Sequence, residues 1–417
     1  MNTLVGYGKN KVEITIPDDR YLGTLVPNNV EIGLTGMEEV ARSLQEPIGS
    51  PKLSEIVKPG EKIVIVTSDV TRPIPSYKVL PPVLDELSAA GIPDSDITVV
   101  FALGSHGGHS EERKRTLVGD AIYDRVKCID SDMNDVKRMG VTSNGTPVDI
   151  FTPVAEADRV ICLGNIEYHY FAGYSGGAKA LMPGVSTRDA IQNNHSRMVM
   201  PEACAGRLEG NPVREDIEES GAIVGIDFIV NVVLNEKKEI IKSFAGDSIK
   251  AHREGCKFLD SFYAIKLEEK ADVVVVSAGG FPKDINMYQA QKALDNAKHA
   301  VKDGGIIVWI AACSEGLGEK HFEQWMTGHD KASDMIDHIK RDFILGGHKA
   351  AAIALVLQKA RIILVSEFEP DFVRSVHLEP YSDIQGAVDY AIEEAAKNNP
   401  DCKVLVMPYG GSTLPRI

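Results

Sequence analysis

Short runs of consecutive Val, Ile and Leu recur along this chain, and they narrow its folds more than any other feature. They cover residues 62–67 (KIVIVT), 97–103 (ITVVFAL), 159–163 (RVICL), 228–234 (FIVNVVL), 273–277 (VVVVS), 306–311 (IIVWIA), 362–366 (IILVS) and 403–407 (KVLVM). A strand with one wet face alternates apolar and polar residues. A continuous run implies that both faces are covered, as in a parallel sheet flanked by helices. Segments 76–90, 288–302 and 381–397 between the runs carry helical spacing, so the pattern predicts an α/β protein with mainly parallel sheets. At 417 residues the chain exceeds one ordinary core, and two α/β domains are expected. Segment 244–269 reads as one charged helix and a second strand–helix series begins near Ala271, which puts the domains at 1–268 and 269–417.

Composition excludes several classes. A formal charge of −15 argues against a nucleic-acid polymer, whose phosphates need clustered Lys and Arg; a small acid or single nucleotide stays compatible with a local cationic pocket. No apolar stretch reaches membrane-spanning length, and the N-terminal MNTLVGYGKNKVEITIP lacks the basic-then-apolar pattern of a secretory signal. The six cysteines are scattered without a CxxC pair, which reads as reduced thiols in a cytoplasmic protein rather than a disulfide or zinc framework. No sequence feature assigns an oligomeric state.

Polar motifs follow the runs at their carboxyl ends, where open α/β sheets gather their ligands. Residues 62–67 lead into Asp69-Val-Thr-Arg72, with Pro73 rigidifying the turn; 97–103 lead into Gly104-Ser-His106; 159–163 lead into Gly164-Asn-Ile-Glu-Tyr-His169. Segment 164–184 (GNIEYHYFAGYSGGAKALMPG) is the densest in chemistry. Gly176 and Gly177 let the backbone approach a bound group, and Lys179 beside them can meet a phosphate or act as a nucleophile. The segment is not a P-loop: Ala178 separates Gly177 from Lys179, and Ala180 replaces the required Ser or Thr. No GxGxxG fingerprint follows a run, which weakens an ordinary NAD site.

Histidines need sorting by neighbourhood. His106 directly follows a predicted strand and reads as functional, with a purely structural role as the alternative; His109, before a helix start at Ser110, reads as solvated or as a supporting residue. His195 falls in a predicted helix or its cap and gains weight from its closeness to Lys179. Asp69 and Arg72 read either as a solvated ion pair or as a phosphate- or hydroxyl-binding pair. Tyr288 and Lys292 share a helical face at i, i+4 with Gln289 beside them, which reads as an amphipathic helix or a carboxylate clamp. His252, His299, His321, His329, His338 and His377 read as surface residues.

Asp69-x-x-Arg72, Gly104-Ser105-His106, Tyr168-His169 leading into Ala172-Gly-Tyr-Ser-Gly-Gly-Ala-Lys179, Pro183-Gly184, Asn194-His195 and Tyr288-Gln289-x-x-Lys292 together resemble the nickel-dependent lactate racemase family. The resemblance is colinear from about Gly60 to Gly318 and strongest over 164–195. It implies two α/β domains with the active site in the cleft between them. The implied activity is a racemase or epimerase of a 2-hydroxy acid, acting by hydride transfer. The implied cofactor is a nickel-pincer nucleotide (pyridinium-3,5-bisthiocarboxylic acid mononucleotide) covalently linked to Lys179. By the same resemblance His195 is a nickel ligand, and His106 and His169 are the catalytic acid/base pair. Asp69, Arg72, Gly176 and Gly177 fall to the cofactor, and Tyr288, Gln289 and Lys292 to the substrate. Cofactor-biosynthesis proteins become expected partners.

Two departures bear on the substrate. Family members commonly carry GTHR at the first base where this chain has Gly104-Ser105-His106-Gly107, and a His-Asp after the next strand where it has Asp130-Ser-Asp. A cation is lost and space gained, which points to an acid larger or more hydroxylated than lactate. Two other classes remain open: a nucleotide-dependent dehydrogenase or transferase in which Lys179 binds phosphate reversibly, and a non-catalytic cofactor-binding protein.

Overall fold

The computed structural model describes residues 1–417 apart from Pro73 and Glu236, so the turn role read for Pro73 lies outside the described residues. The chain forms two compact units, Val30–Asp260 and a second made of Met1–Asn29 with Ser261–Ile417. Every apolar run lies in a strand of one of two six-stranded sheets.

In the Val30–Asp260 unit the strand order is Ile240–Gly246, Phe228–Leu234, Arg159–Asn165, Ile63–Ser68, Ile97–Ala102, Lys127–Asp130. All neighbours are parallel except the Phe228–Leu234 and Ile240–Gly246 pair. Side chains alternate between two apolar clusters. Ile63, Ile65, Val99, Phe101, Ile161 and Leu163 enter one, while Val64, Val66, Val100, Val160 and Cys162 enter the other. Both faces are therefore dry, which is why the runs are continuous rather than alternating. Burying each such side chain stabilises the fold by roughly 1.5–3 kcal/mol. From Ile63–Ser68 the chain builds outward on one side, then returns to place Arg159–Asn165 on the other. That reversal is the topological switch point where ligands bind in open sheets.

The second unit holds an all-parallel sheet ordered Glu379–Tyr381, Arg361–Val365, Val301–Ile310, Ala271–Ser277, Val404–Met407, Tyr21–Thr24. Its edge strand corrects the expected 1–268 domain. Tyr21–Thr24 pairs with Val404–Met407, and Val5, Ile14 and Ile16 of the N-terminal hairpin are buried in this unit's core. The first twenty-nine residues thus leave the domain they precede in sequence, because the best cover for their apolar side chains is the distant sheet. The expected helix over 244–269 is also broken up. Strand Ile240–Gly246 ends there, helix Lys250–Tyr263 follows, and Ala264–Lys266 pairs with Leu414–Arg416. Tyr381 closes a strand, and its helix starts only at Ile384, with Asp383 accepting from the Gly386 N–H as cap.

Candidate active site

Ser68 lies opposite Ala102 in the parallel register, so the turns leaving those strands are neighbours. Asp69 follows the first and His106 the second, and His106 Nδ1 sits 2.7 Å from Asp69 Oδ2. Thr71 Oγ1 donates to the other carboxylate oxygen at 2.8 Å. Burial raises the Asp69 pKa, but the bonds from His106 and Thr71 and the charge of Arg72 outweigh it and leave the carboxyl below its ordinary range. An ionised carboxylate only accepts, so His106 Nδ1 carries the proton and Nε2 carries the lone pair. The Asp69 contribution to stability is present above the ordinary carboxylate range and is lost as pH falls through the lowered value. Arg72 is exposed, and among the described residues it makes no salt bridge with Asp69, so the solvated ion-pair reading does not apply.

His109 is not solvated. Its side chain is 3% exposed, Nδ1 lies 2.8 Å from Asp130 Oδ1 and the backbone N–H donates to Asp130 Oδ2. Gly107 faces open space, with no atom within 4 Å of a built Cβ. The two sequence departures therefore meet: the segment after the base folds back onto Asp130.

The next strand, Arg159–Asn165, feeds a small hairpin in which His169 pairs with Gly173. The Tyr168 and Tyr174 hydroxyls both donate to Asp260, fixing the hairpin's base. The Ala172 N–H donates to His169 Nδ1 at 3.3 Å, so the proton of the neutral ring resides on Nε2. His106 and His169 thus rest in opposite tautomers. Phe171 is wedged edge-on between two rings, 4.5 Å from His169 and 4.9 Å from His195.

His195 ends helix Arg188–His195 and is buried. Its Nδ1 meets Asn194 Oδ1 at 2.7 Å, while Asn194 Nδ2 donates to Asp216 and the Val213 carbonyl. That network fixes the amide orientation. His195 therefore donates from Nδ1 and keeps its lone pair on Nε2, the form in which imidazole binds metals. Among the described residues no three His, Cys, Asp or Glu side chains gather as a metal site.

Lys179 lies in a 3₁₀ turn, Gly177–Ala180, held by residues the sequence reading missed. The Gly177 N–H donates to Asn231 Oδ1 at 2.7 Å from the neighbouring strand. Gly176 has φ +78°, and a Cβ there would lie 2.6 Å from Asn231 Oδ1, so only glycine fits. Fully buried Arg214 donates to the Tyr174 and Gly176 carbonyls and pairs with Glu218. His252 is no surface residue: it is fully buried, within 2.8 Å of the Ser175 carbonyl and 3.1 Å of Arg214. Burial, with the charge of Arg214 next to it, keeps its ring neutral. No local sequence signal marks Arg214 or His252, since isolated charged residues on amphipathic helices ordinarily face water. Burial, followed by the charges of Arg72 and Arg214, pushes the Lys179 ammonium well below its usual range. Among the described residues no carboxylate pairs with it. The turn thus holds a lysine whose charged form is disfavoured.

Replacing Asn231 with Ala should cost about 1–3 kcal/mol, because the buried Gly177 N–H is left without its acceptor. Urea unfolding measures it; a loss below a few tenths of a kcal/mol would contradict this account of the turn.

In the second unit, Asn286 Oδ1 caps helix Met287–Ala297 by accepting from Gln289 N–H. Gln289 and Lys292 line a cavity of about 150 Å³ together with Lys283 and Ser412. Tyr288 packs edge-on against Phe322, and buried Lys349 donates to its carbonyl at 2.6 Å beneath its ring. Of the other histidines read as surface, His299, His329, His338 and His377 are partly buried, His329 and His338 lying 3.1 Å apart, while His321 is exposed as expected.

An Asp–His pair, two further oriented histidines and a lysine with disfavoured charge follow strands beside the switch point of a parallel sheet, the place where proteins of the α/β class carry their sites. Comparison with known proteins makes the class specific. Residues 7–206 match the profile of the lactate racemase N-terminal domain, and residues 267–414 that of the lactate racemase C-terminal domain. The chain is 32% identical over 427 residues to a lactate racemase of Thermoanaerobacterium thermosaccharolyticum, covering 100% of this chain and 99% of that one. It is 33% identical over 417 residues to a lactate racemase of Lactiplantibacillus plantarum, covering 97% of each. The structure of the Thermoanaerobacterium lactate racemase apoprotein superimposes with a TM-score of 0.86 at 30% identity over the whole of both chains. A Thermotoga maritima protein shares the fold at a TM-score of 0.62 and 18% identity, covering 92% of this chain and 100% of that one. The chain belongs to the lactate racemase family and is an isomerase. No helix of the described residues is long and apolar enough to cross a membrane.

Proposed function

We propose that this isomerase interconverts the enantiomers or epimers of a 2-hydroxy acid. His106 and His169 are its acid/base pair, Lys179 is the covalent anchor of a nickel-pincer nucleotide, and His195 is a nickel ligand. The observation that carries the reading is Lys179: it stands beside a turn only glycine can make, and its surroundings disfavour the ammonium and so favour the amine needed for a covalent link. Two features fit the group. Asn231 Nδ2 is a buried donor without a protein partner among the described residues. His195 holds the metal-binding tautomer. When bound, that group supplies a hydride acceptor, chemistry that no side chain offers.

The chain's own contribution is to protons and orientation. His106 Nε2 accepts the hydroxyl proton, and ionised Asp69 stabilises the imidazolium that forms. His169 serves the opposite stereochemical course, which requires its ring to exchange the long bond from Ala172. Lys292 and Gln289 are assigned to the substrate carboxylate and oxygen, with Tyr288 beside them. The open space at Gly107 favours a side chain longer than a methyl group.

The test is a screen of 2-hydroxy acids by chiral separation, using nickel-supplemented protein whose attached cofactor is verified by intact mass. Racemisation or epimerisation, with longer acids at least equal to lactate, is expected. Loaded protein that turns over none of them overturns the function, and a strong preference for lactate overturns the larger-substrate reading.

A further inference from the structure

We infer that His109 is a positioning residue for the His106 base, acting through the turn that carries Asp69. The inference rests on the reading of His106 as the group that accepts the substrate proton.

Two His–Asp pairs stand in series. The inner pair is His106–Asp69, and its geometry depends on the 69–72 turn, where Thr71 Oγ1 donates to Asp69 and the Arg72 N–H donates to the Asp69 carbonyl. A further amide of that turn, Val70 N–H, donates to His109 Nε2 at 3.3 Å. His109 can accept there only if its proton is on Nδ1, and Nδ1 lies 2.8 Å from Asp130 Oδ1. Asp130 also accepts from the His109 backbone and faces Lys114 Nζ at 3.3 Å. The ring also packs edge-on against Phe101, 5.5 Å between centroids.

The outer pair therefore ties the end of the Ile63–Ser68 strand to the end of the Lys127–Asp130 strand, although Ile97–Ala102 lies between them. A carboxylate and an imidazole span that gap where a backbone contact cannot. Without the acceptor, Val70 N–H turns to water and the Asp69 carboxylate is released from its register with His106. A misplacement of about 1 Å in a catalytic group costs on the order of 100-fold in rate.

His109→Leu and Asp130→Asn should each lower kcat about ten- to a hundredfold while KM stays within about twofold. The readout that a merely structural role would not move is the ¹⁵N imidazole spectrum of the unloaded protein. His106 should be a single Nδ1–H tautomer in the parent and a tautomer mixture in both variants. Asp130→Asn keeps the test open if the leucine variant folds poorly. An unchanged His106 tautomer together with unchanged kcat overturns the inference. Failure of the racemase reading is distinguishable, because the parent would then turn over no acid while the spectrum still reports on His106.

Discussion

Alanine at position 106 is expected to slow enantiomer interconversion by about 10²–10⁴-fold, the usual worth of a positioned general base. The loss in kcat/KM must be equal from either enantiomer. The two forms have equal free energy in water, so the ratio of their kcat/KM values is held at one whatever the enzyme. The fold should survive, since the His106 side chain is 25% exposed and bonds only to Asp69 and Thr71 among the contacts described. Initial rates from each pure enantiomer, measured alongside the thermal midpoint, check both points. Rates within twofold of the parent in His106→Ala, and again in the His106→Ala, His169→Ala double variant, would remove the pair from the reaction.

Replacing Lys179 should abolish turnover and, with it, any mass increment on the protein made in cofactor-producing cells. A retained adduct in Lys179→Ala would move the attachment elsewhere. A second consequence concerns the unloaded protein. The Lys179 ammonium is disfavoured in the native fold, so below the ordinary lysine value of 10.5 the unfolded chain binds a proton that the folded chain does not. Native stability is then penalised at neutral pH and recovers as pH rises toward that value. Lys179→Met is therefore expected to raise the thermal midpoint of unloaded protein at pH 7, by an amount that shrinks as pH rises. A midpoint that falls at pH 7 would contradict the neutral amine. Stabilisation bought by removing the reactive group is the ordinary trade between activity and stability at a functional site.

The sheet strands were readable because their signal is local. An apolar run of four to seven residues reports directly on two dry faces, and the helix start at Ser110 follows from a side chain that accepts from the amide three residues on. The excursion of Met1–Asn29 was not readable. Nothing within Tyr21–Thr24 specifies that its partner is Val404–Met407, a pairing that only the competition among exposed sheet edges settles. The same holds for Arg214 and His252, which look like surface residues on helices and end fully buried behind the Gly176–Gly177 turn.

Composition and pattern by themselves determined an acidic, two-unit α/β protein with its chemistry-bearing residues at strand ends; the lactate racemase family came from the resemblance of its motifs and from the comparisons. Only the tertiary structure decided the state of those residues. The hydrogen bonds that orient the His106 and His169 rings, the turning of His195 by Asn194 and the disfavoured charge of Lys179 depend on neighbours such as Asp69, 37 positions from His106, and Arg214. Periodicity is a property of adjacent residues, whereas a tautomer or a proton is set by whatever charge and hydrogen-bond partner the fold brings within about 3 Å.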